Sequence, residues 1–264
     1  MPTVRVNNLD VAYNDHGDGD IPIVLLHGFP LDKRMWESQV QALSGEFRII
    51  TPDLRGHGES QVTPGPYTME LLAEDVKSFL DAMNLQQVVL GGFSMAGYVA
   101  FSFYRKYPER VNSLMLLDTR PQPDSEDGKK GREDMAQLAE REGAGPIAER
   151  LIPRLLSADT VANRQDIVNT VSAMINQCPV DGIAGDLRGM ALRGDSSDLL
   201  SQISVPTLIV VGDQDAITPP AESQNMASII PSSTLVEISG AGHLSNLENP
   251  DEFNKGIHDF LHNH

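Results

Sequence analysis

Ser94 stands in Gly91-Gly92-Phe93-Ser94-Met95-Ala96-Gly97, between the apolar run Val88-Val89-Leu90 and an apolar-periodic stretch from Tyr98 to Tyr107. This reads as a strand, a sharp turn and a helix. The middle residue of such a turn sits in a strained backbone conformation, so its neighbours two places away must be small. Gly92 and Ala96 meet that requirement. The hydroxyl is then held above the sheet edge with a helix N-terminus beneath it. Free N–H groups there favour the negative charge that an attacked ester carbonyl develops.

Three further groups also follow apolar runs. His27-Gly28-Phe29-Pro30 follows residues 21–26, Asp213 and Asp215 follow 207–211, and His243 follows 234–238. None lies near another in sequence. A nucleophile, its base and the group that orients the base must meet in space, so the chemistry depends on elements that converge.

Those elements are legible as runs and breaks. Residues 3–7 and 10–14 read as a hairpin. Residues 21–26, a continuous apolar run, read as a buried parallel strand; 47–51, 88–90, 111–117 and 207–211 read as further buried strands, and 234–238 as the last strand. Residues 35–43 read as a helix. Thr68 caps another, with Leu72, Val76, Phe79, Leu80 and Met83 on one face. Residues 219–229 read as helical. Asn249-Pro250 starts the closing helix, whose buried face is Phe253, Ile257, Phe260 and Leu261. Eight strand candidates, the later ones alternating with helices, predict an α/β protein with a mostly parallel sheet covered on both faces. Such sheets bind ligands beyond the carboxyl ends of their strands, where the candidate groups fall. From about 119 to 200 the strand runs disappear. Helices at 133–142, 146–156, 160–177 and 181–192 read as an inserted helical cap, leaving 1–118 and 201–264 as the core.

Composition bounds the partners. The chain has 264 residues, 40% of them apolar and 22% charged, which suits one globular domain carrying an insertion. Its formal charge of −17 would repel a nucleic acid or an anionic membrane, so neither is expected as a partner. The single cysteine, Cys178, excludes an intrachain disulfide and reads as a small buried side chain. No signal peptide and no run of roughly 20 apolar residues is visible, so a cytoplasmic location is expected.

The chain resembles the α/β-hydrolase family over nearly its whole length. The matching pieces are HGFP at 27–30, DLRGHGES at 53–60, GGFSMAG at 91–97, YPERV at 107–111, VGDQDAITP at 211–219 and GAGHLSNLENP at 240–250. The order Ser, Asp, His is the family's order. Ala96 departs from the glycine of many members and implies a slightly tighter turn. The resemblance implies Ser94 as nucleophile, His243 as base and Asp215 as the acid that orients it. It implies an oxyanion hole from the backbone N–H groups of Phe29 and Met95, each such donor being worth about 3–4 kcal/mol of barrier.

Rival assignments exist for each role. Asp213 is nearer its strand and reads as ordering the loop, and Asp118 ends the strand where some family members carry their acid. His27 reads as fixing its own loop, and His57 as part of a structural loop in which Asp53 and Arg55 pair. His258 and His262 are four apart on the last helix. That spacing permits a metal, but without a third ligand the pair reads as solvated. Met69, Met83 and Met95 read as packing residues. No cofactor and no metal are expected.

Serine at 94 excludes the epoxide-hydrolase and dehalogenase branches, which use aspartate there. The resemblance implies a serine esterase cleaving small carboxylic esters or lactones through an acyl-enzyme, close to carboxylesterases and 3-oxoadipate enol-lactonases. A cofactor-free perhydrolase or haloperoxidase, and a slowly hydrolysing ligand receptor, are alternatives of the same fold. Arg120, Arg154, Arg188 and Arg193 could receive a substrate carboxylate. Read instead as surface partners of nearby acids, they leave a neutral short-acyl ester as the expected substrate. The oligomeric state stays open.

Overall fold

The computed structural model describes residues 2–264. The chain begins with β1 (Thr3–Val6) and β2 (Leu9–His16), paired antiparallel with Val6 opposite Leu9. Asn7 and Asn8 form the turn with φ of 46° and 59°, the left-handed pair that a two-residue hairpin needs and asparagine tolerates. β3 (Ile23–Leu26), α1 (Glu37–Leu43) and β4 (Ile49–Pro52) follow. α2 (Met69–Ala82) starts where the Thr68 hydroxyl accepts the Leu71 N–H, satisfying a donor the helix leaves free. β5 (Val88–Phe93), α3 (Met95–Lys106) and β6 (Val111–Leu117) complete the first half.

Five helices then intervene: α4 (Glu126–Glu142), α5 (Gly145–Leu155), α6 (Ala158–Asn163), α7 (Gln165–Gln177) and α8 (Val180–Ala191). The sheet resumes with β7 (Thr207–Gly212), α9 (Pro220–Ile229) and β8 (Ser233–Ile238). The short α10 (Ser245–Glu248) and the closing α11 (Pro250–Asn263) end the chain.

The sheet has eight strands in the order β1-β2-β4-β3-β5-β6-β7-β8. The first two run antiparallel to their neighbours, and the other six are parallel. This is the mostly parallel α/β sheet expected. β3, β5 and β7 are buried along their whole length, as strands covered on both faces must be. Because β3, β5, β6, β7 and β8 share one direction, the residues after each of them gather at one edge.

Three local expectations need correction. α4 begins at Glu126, not 133, because the Ser125 hydroxyl caps it on Gly128 and its length packs against α8. Gly128 and Gly131 made this first part read as a loop, and tertiary packing overrides that propensity. The single helix expected over 160–177 is two, broken at Arg164, whose φ of −118° and ψ of 67° leave the helical region. Asp53 and Arg55 do not pair. Gly58 folds the loop back onto Asp53, which accepts from the Glu59 N–H, the Lys33 N–H and the Lys33 ammonium. Arg55 instead reaches α2 and holds both oxygens of Asp75 at 2.7 Å.

Candidate active site

Ser94 joins β5 to α3 with φ 51° and ψ −110°, a conformation that costs an L-residue on the order of 1–3 kcal/mol. The turn closes only because its flanks are bare. A Cβ on Gly92 would lie 2.3 Å from the Ala96 carbonyl oxygen. The Ser94 N–H donates to the Leu117 carbonyl at 2.8 Å, and the Thr119 hydroxyl donates to the Ser94 carbonyl at 2.8 Å. These bonds tie the strained residue to the end of β6 and hold its side chain above the sheet edge.

His243 follows β8 and is 2% exposed. Its Nε2 lies 2.7 Å from Ser94 Oγ and its Nδ1 2.7 Å from Asp215 Oδ2. The Phe93 ring stands edge-on against the imidazole. Asp215 follows β7 and is saturated with donors: the N–H groups of Ile217 and Thr218 at 2.7 and 2.9 Å, and the Thr218 hydroxyl at 2.6 Å. Burial pushes its carboxyl up, but the electrostatic attraction and hydrogen bond of His243, with those of Thr218, outweigh that and hold it below the usual carboxylate range. A carboxylate kept ionised against Nδ1 fixes the tautomer in which Nδ1–H donates and Nε2 accepts from the serine.

The rivals fall elsewhere. Asp213 is exposed. Asp118 is buried beside the same histidine but accepts from the Gly212 N–H at 2.9 Å and from the Ser245 hydroxyl. Burial and the neighbouring Asp215 charge push its carboxyl well above the usual range. His27 is buried, and its Nε2 accepts the Leu54 N–H at 2.9 Å, so Nδ1 donates to the Gly28 carbonyl at 3.1 Å. Burial lowers its pKa to about 4, which keeps it a neutral strut of its loop. His57 is also buried, with its pKa lowered to about 3 by burial and by His27. Its Nε2 faces Asp186 of α8 at 3.2 Å, off the hydrogen-bonding direction.

The His27 loop brings Gly28 against the turn. A Cβ there would lie 2.9 Å from the Phe93 ring and 3.5 Å from Ser94 Cβ. Among the described residues, neither the Phe29 nor the Met95 N–H donates to any protein group. Phe29 lines the same cavity as Ser94, and Met95 follows Ser94 directly in the chain.

A cavity of about 320 Å³ opens over these groups, lined by Ser94, His243, Phe29 and Ile217 from the core and by residues of α4, α5 and α8. A larger one, about 470 Å³, lies across Tyr98 and Arg193 and holds none of Ser94, His243 or Asp215. Three arginines, Arg120, Arg132 and Arg154, line the smaller cavity with one acid, Asp124. Asp124 pairs with Arg132 and Arg120 and is held bidentate by Arg193 at 2.7 and 2.8 Å. The Arg193 and Arg132 hydrogen bonds outweigh its burial and keep this carboxyl far below the usual range. Arg193 also stacks on the Tyr98 ring at 4.1 Å. Arg188 points away, to Glu133 and Glu140 on the surface. Arg154 has no carboxylate partner among the described residues.

A family model described as the alpha/beta hydrolase fold matches residues 21–250. The chain belongs to the α/β-hydrolase family. A thermophilic esterase from Thermogutta terrifontis, solved with malate bound, is 44% identical, with a TM-score of 0.97 over 100% of this chain and 99% of that one. The enol-lactonase from Burkholderia xenovorans LB400 is 29% identical, with a TM-score of 0.91 over 98% of this chain and 99% of its own. Among curated proteins, 3-oxoadipate enol-lactonase 2 of Acinetobacter baylyi is 29% identical over 97% of this chain and 94% of its own length.

Sequence reading passed over several groups that shape this hydrolase's site. Thr218 lies three residues beyond Asp215, and its hydroxyl touches both Asp215 and His243; an Asp-x-x-Thr spacing is the only local hint of it. Glu248 accepts the Gly242 N–H and the Ser157 N–H, both at 2.8 Å. It thereby ties the loop that carries His243 to the inserted helices. Asp124 and Arg132 had no signal at all, since their partners come from other elements. Among the described residues, no helix is long and apolar enough to cross a membrane.

Proposed function

We propose that this α/β-hydrolase cleaves small carboxylic esters, with Ser94 as nucleophile, His243 as general base and acid, and Asp215 as the orienting acid. The unbroken line from Ser94 Oγ through His243 to Asp215, 2.7 Å at each step, carries the reading. Ser94 Oγ attacks the ester carbonyl while its proton passes to His243 Nε2. The resulting imidazolium is stabilised by Asp215, and the oxyanion by the N–H groups of Phe29 and Met95 at the head of α3. His243 then gives the proton to the leaving alcohol. Water attacks the acyl-enzyme with His243 again as base, and the acid departs. The helices between β6 and β7, within 119–200, act as the cap that shapes the acyl and alcohol pockets over a core of 1–118 and 201–264.

A second reading has one specific support. The cavity lining carries three guanidinium groups against one carboxylate, and Arg154 is unpaired among the described residues. This favours an ester or lactone bearing its own carboxylate over the neutral ester expected from composition. The enol-lactonase relatives agree with it. Hydrolysis of p-nitrophenyl acetate and butyrate, measured beside a dicarboxylate enol-lactone, tests both. Multiple turnover of the nitrophenyl esters that disappears in Ser94→Ala supports the esterase. A kcat/KM at least a hundredfold higher for the lactone selects the second reading, and no turnover of either sinks both.

A further inference from the structure

His258 and His262 stand one turn apart on α11, and the stretch after α1 brings Glu46 against them. His262 Nε2 lies 3.1 Å from His258 Nε2 and 3.1 Å from Glu46 Oε2, and His258 Nε2 is 3.6 Å from the same oxygen. Donor atoms held by one tetrahedral zinc ion at about 2.0–2.1 Å stand roughly 3.3 Å from one another. The triangle formed here therefore has the size of one face of such a tetrahedron. We propose that Glu46, His258 and His262 form a surface site for a divalent ion of the zinc type, with water in the open position.

The plain account of two histidines at this spacing is a solvated pair. The third group is what departs from it, since Glu46 lies 216 residues from His262 in sequence and reaches the same point. The rings are also held in place. Phe47 stands edge-on to both imidazoles, with centroids 6.2 and 5.6 Å away. The Nε2 atoms of both rings and one carboxylate oxygen are thus turned toward a single point. A proton there bridges two of these atoms at most, whereas a cation can accept a lone pair from all three. The donor set selects the metal: imidazole suits Zn2+, Cu2+ and Ni2+, while Mg2+ and Ca2+ require oxygen ligands. All three side chains are open to water, so an ion can enter and keep a water ligand. The bound ion would join the last helix to the α1–β4 connection and stabilise the fold by mass action.

Titration of the full-length, EDTA-stripped protein with zinc sulfate at neutral pH tests this, read by calorimetry and by thermal unfolding. One ion per chain is expected, with a Tm rise of several degrees that magnesium sulfate does not reproduce. A His258→Gln/His262→Gln double variant removes two half-open rings and their contacts with Phe47, so its ion-free Tm should stay within a few degrees of wild type, while its zinc Kd rises at least tenfold. The proposal is overturned if wild type shows no saturable zinc binding. It is equally overturned if the double variant binds zinc as tightly as wild type, which would place the ion at Asp118, Asp215 and His243 and inhibit hydrolysis in parallel.

Discussion

Asp118 and Asp215 bring carboxylate oxygens within 4.8 Å of each other and of His243, yet only Asp215 bonds the imidazole. Two buried like charges this close disfavour joint ionisation. The one facing the ring stays ionised, and the other is pushed up by burial and by its neighbour's charge. Asp215→Asn should therefore lose about 10³–10⁴ in kcat, as loss of the tautomer-fixing acid does. Asp118→Asn should stay within tenfold of wild type and act mainly on stability. Steady-state kinetics with p-nitrophenyl butyrate and urea midpoints for both variants decide it, and equal losses of kcat would refute the assignment.

Ser94 combines chemistry with strain. Ser94→Ala keeps the backbone strain and removes the proposed nucleophile, so kcat should fall by at least about 10⁴ while Tm moves by no more than a degree or two. Ser94→Gly removes both. Glycine tolerates φ 51° and ψ −110°, so this variant should be about 1 kcal/mol more stable than Ser94→Ala. Urea unfolding of the pair measures the difference, and a less stable glycine variant contradicts the strain argument.

His27 is buried and neutral, with its pKa lowered to about 4. Between pH 6.5 and 4 the unfolded chain binds a proton here that the folded one does not. Above that window the group is neutral in both states and costs nothing. As pH falls through it, stability is lost, by about 3 kcal/mol in full. His27→Gln keeps an acceptor at the Nε2 position for the Leu54 N–H, without the titration. The stability gap between wild type and variant should shift by that amount between pH 7 and 4. A gap independent of pH would show that His27 does not titrate in this way.

Arg154 is the cavity cation without a carboxylate partner among the described residues. Arg154→Ala should raise KM for a carboxylate-bearing lactone about tenfold and leave KM for p-nitrophenyl acetate unchanged. An equal rise for the neutral ester would mean that the side chain shapes the pocket without reading charge.

Much of this molecule was legible in the chain because burial and backbone strain are local. A strand covered on both faces must be apolar along its buried length, and 114–117 and 208–211 are such runs. A turn as tight as the one at Ser94 requires small residues beside it, and Gly92 and Ala96 stand there. The start of α4 and the break at Arg164 were not readable, because packing against α8 outweighs two early glycines and no proline or glycine marks the break.

Pairings between distant residues belong to the folded state alone. Asp215 and Asp118 both end strands, and only the order β6-β7-β8 and the path of the His243 loop choose between them. Lys33 with Asp53, Arg55 with Asp75, and Asp124 with three arginines are contacts for which propensity carries no information. Glu46 beside His258 and His262 is the extreme case. Side-chain chemistry is written residue by residue, but whether two such groups come within 3 or 4 Å depends on how every intervening element packs.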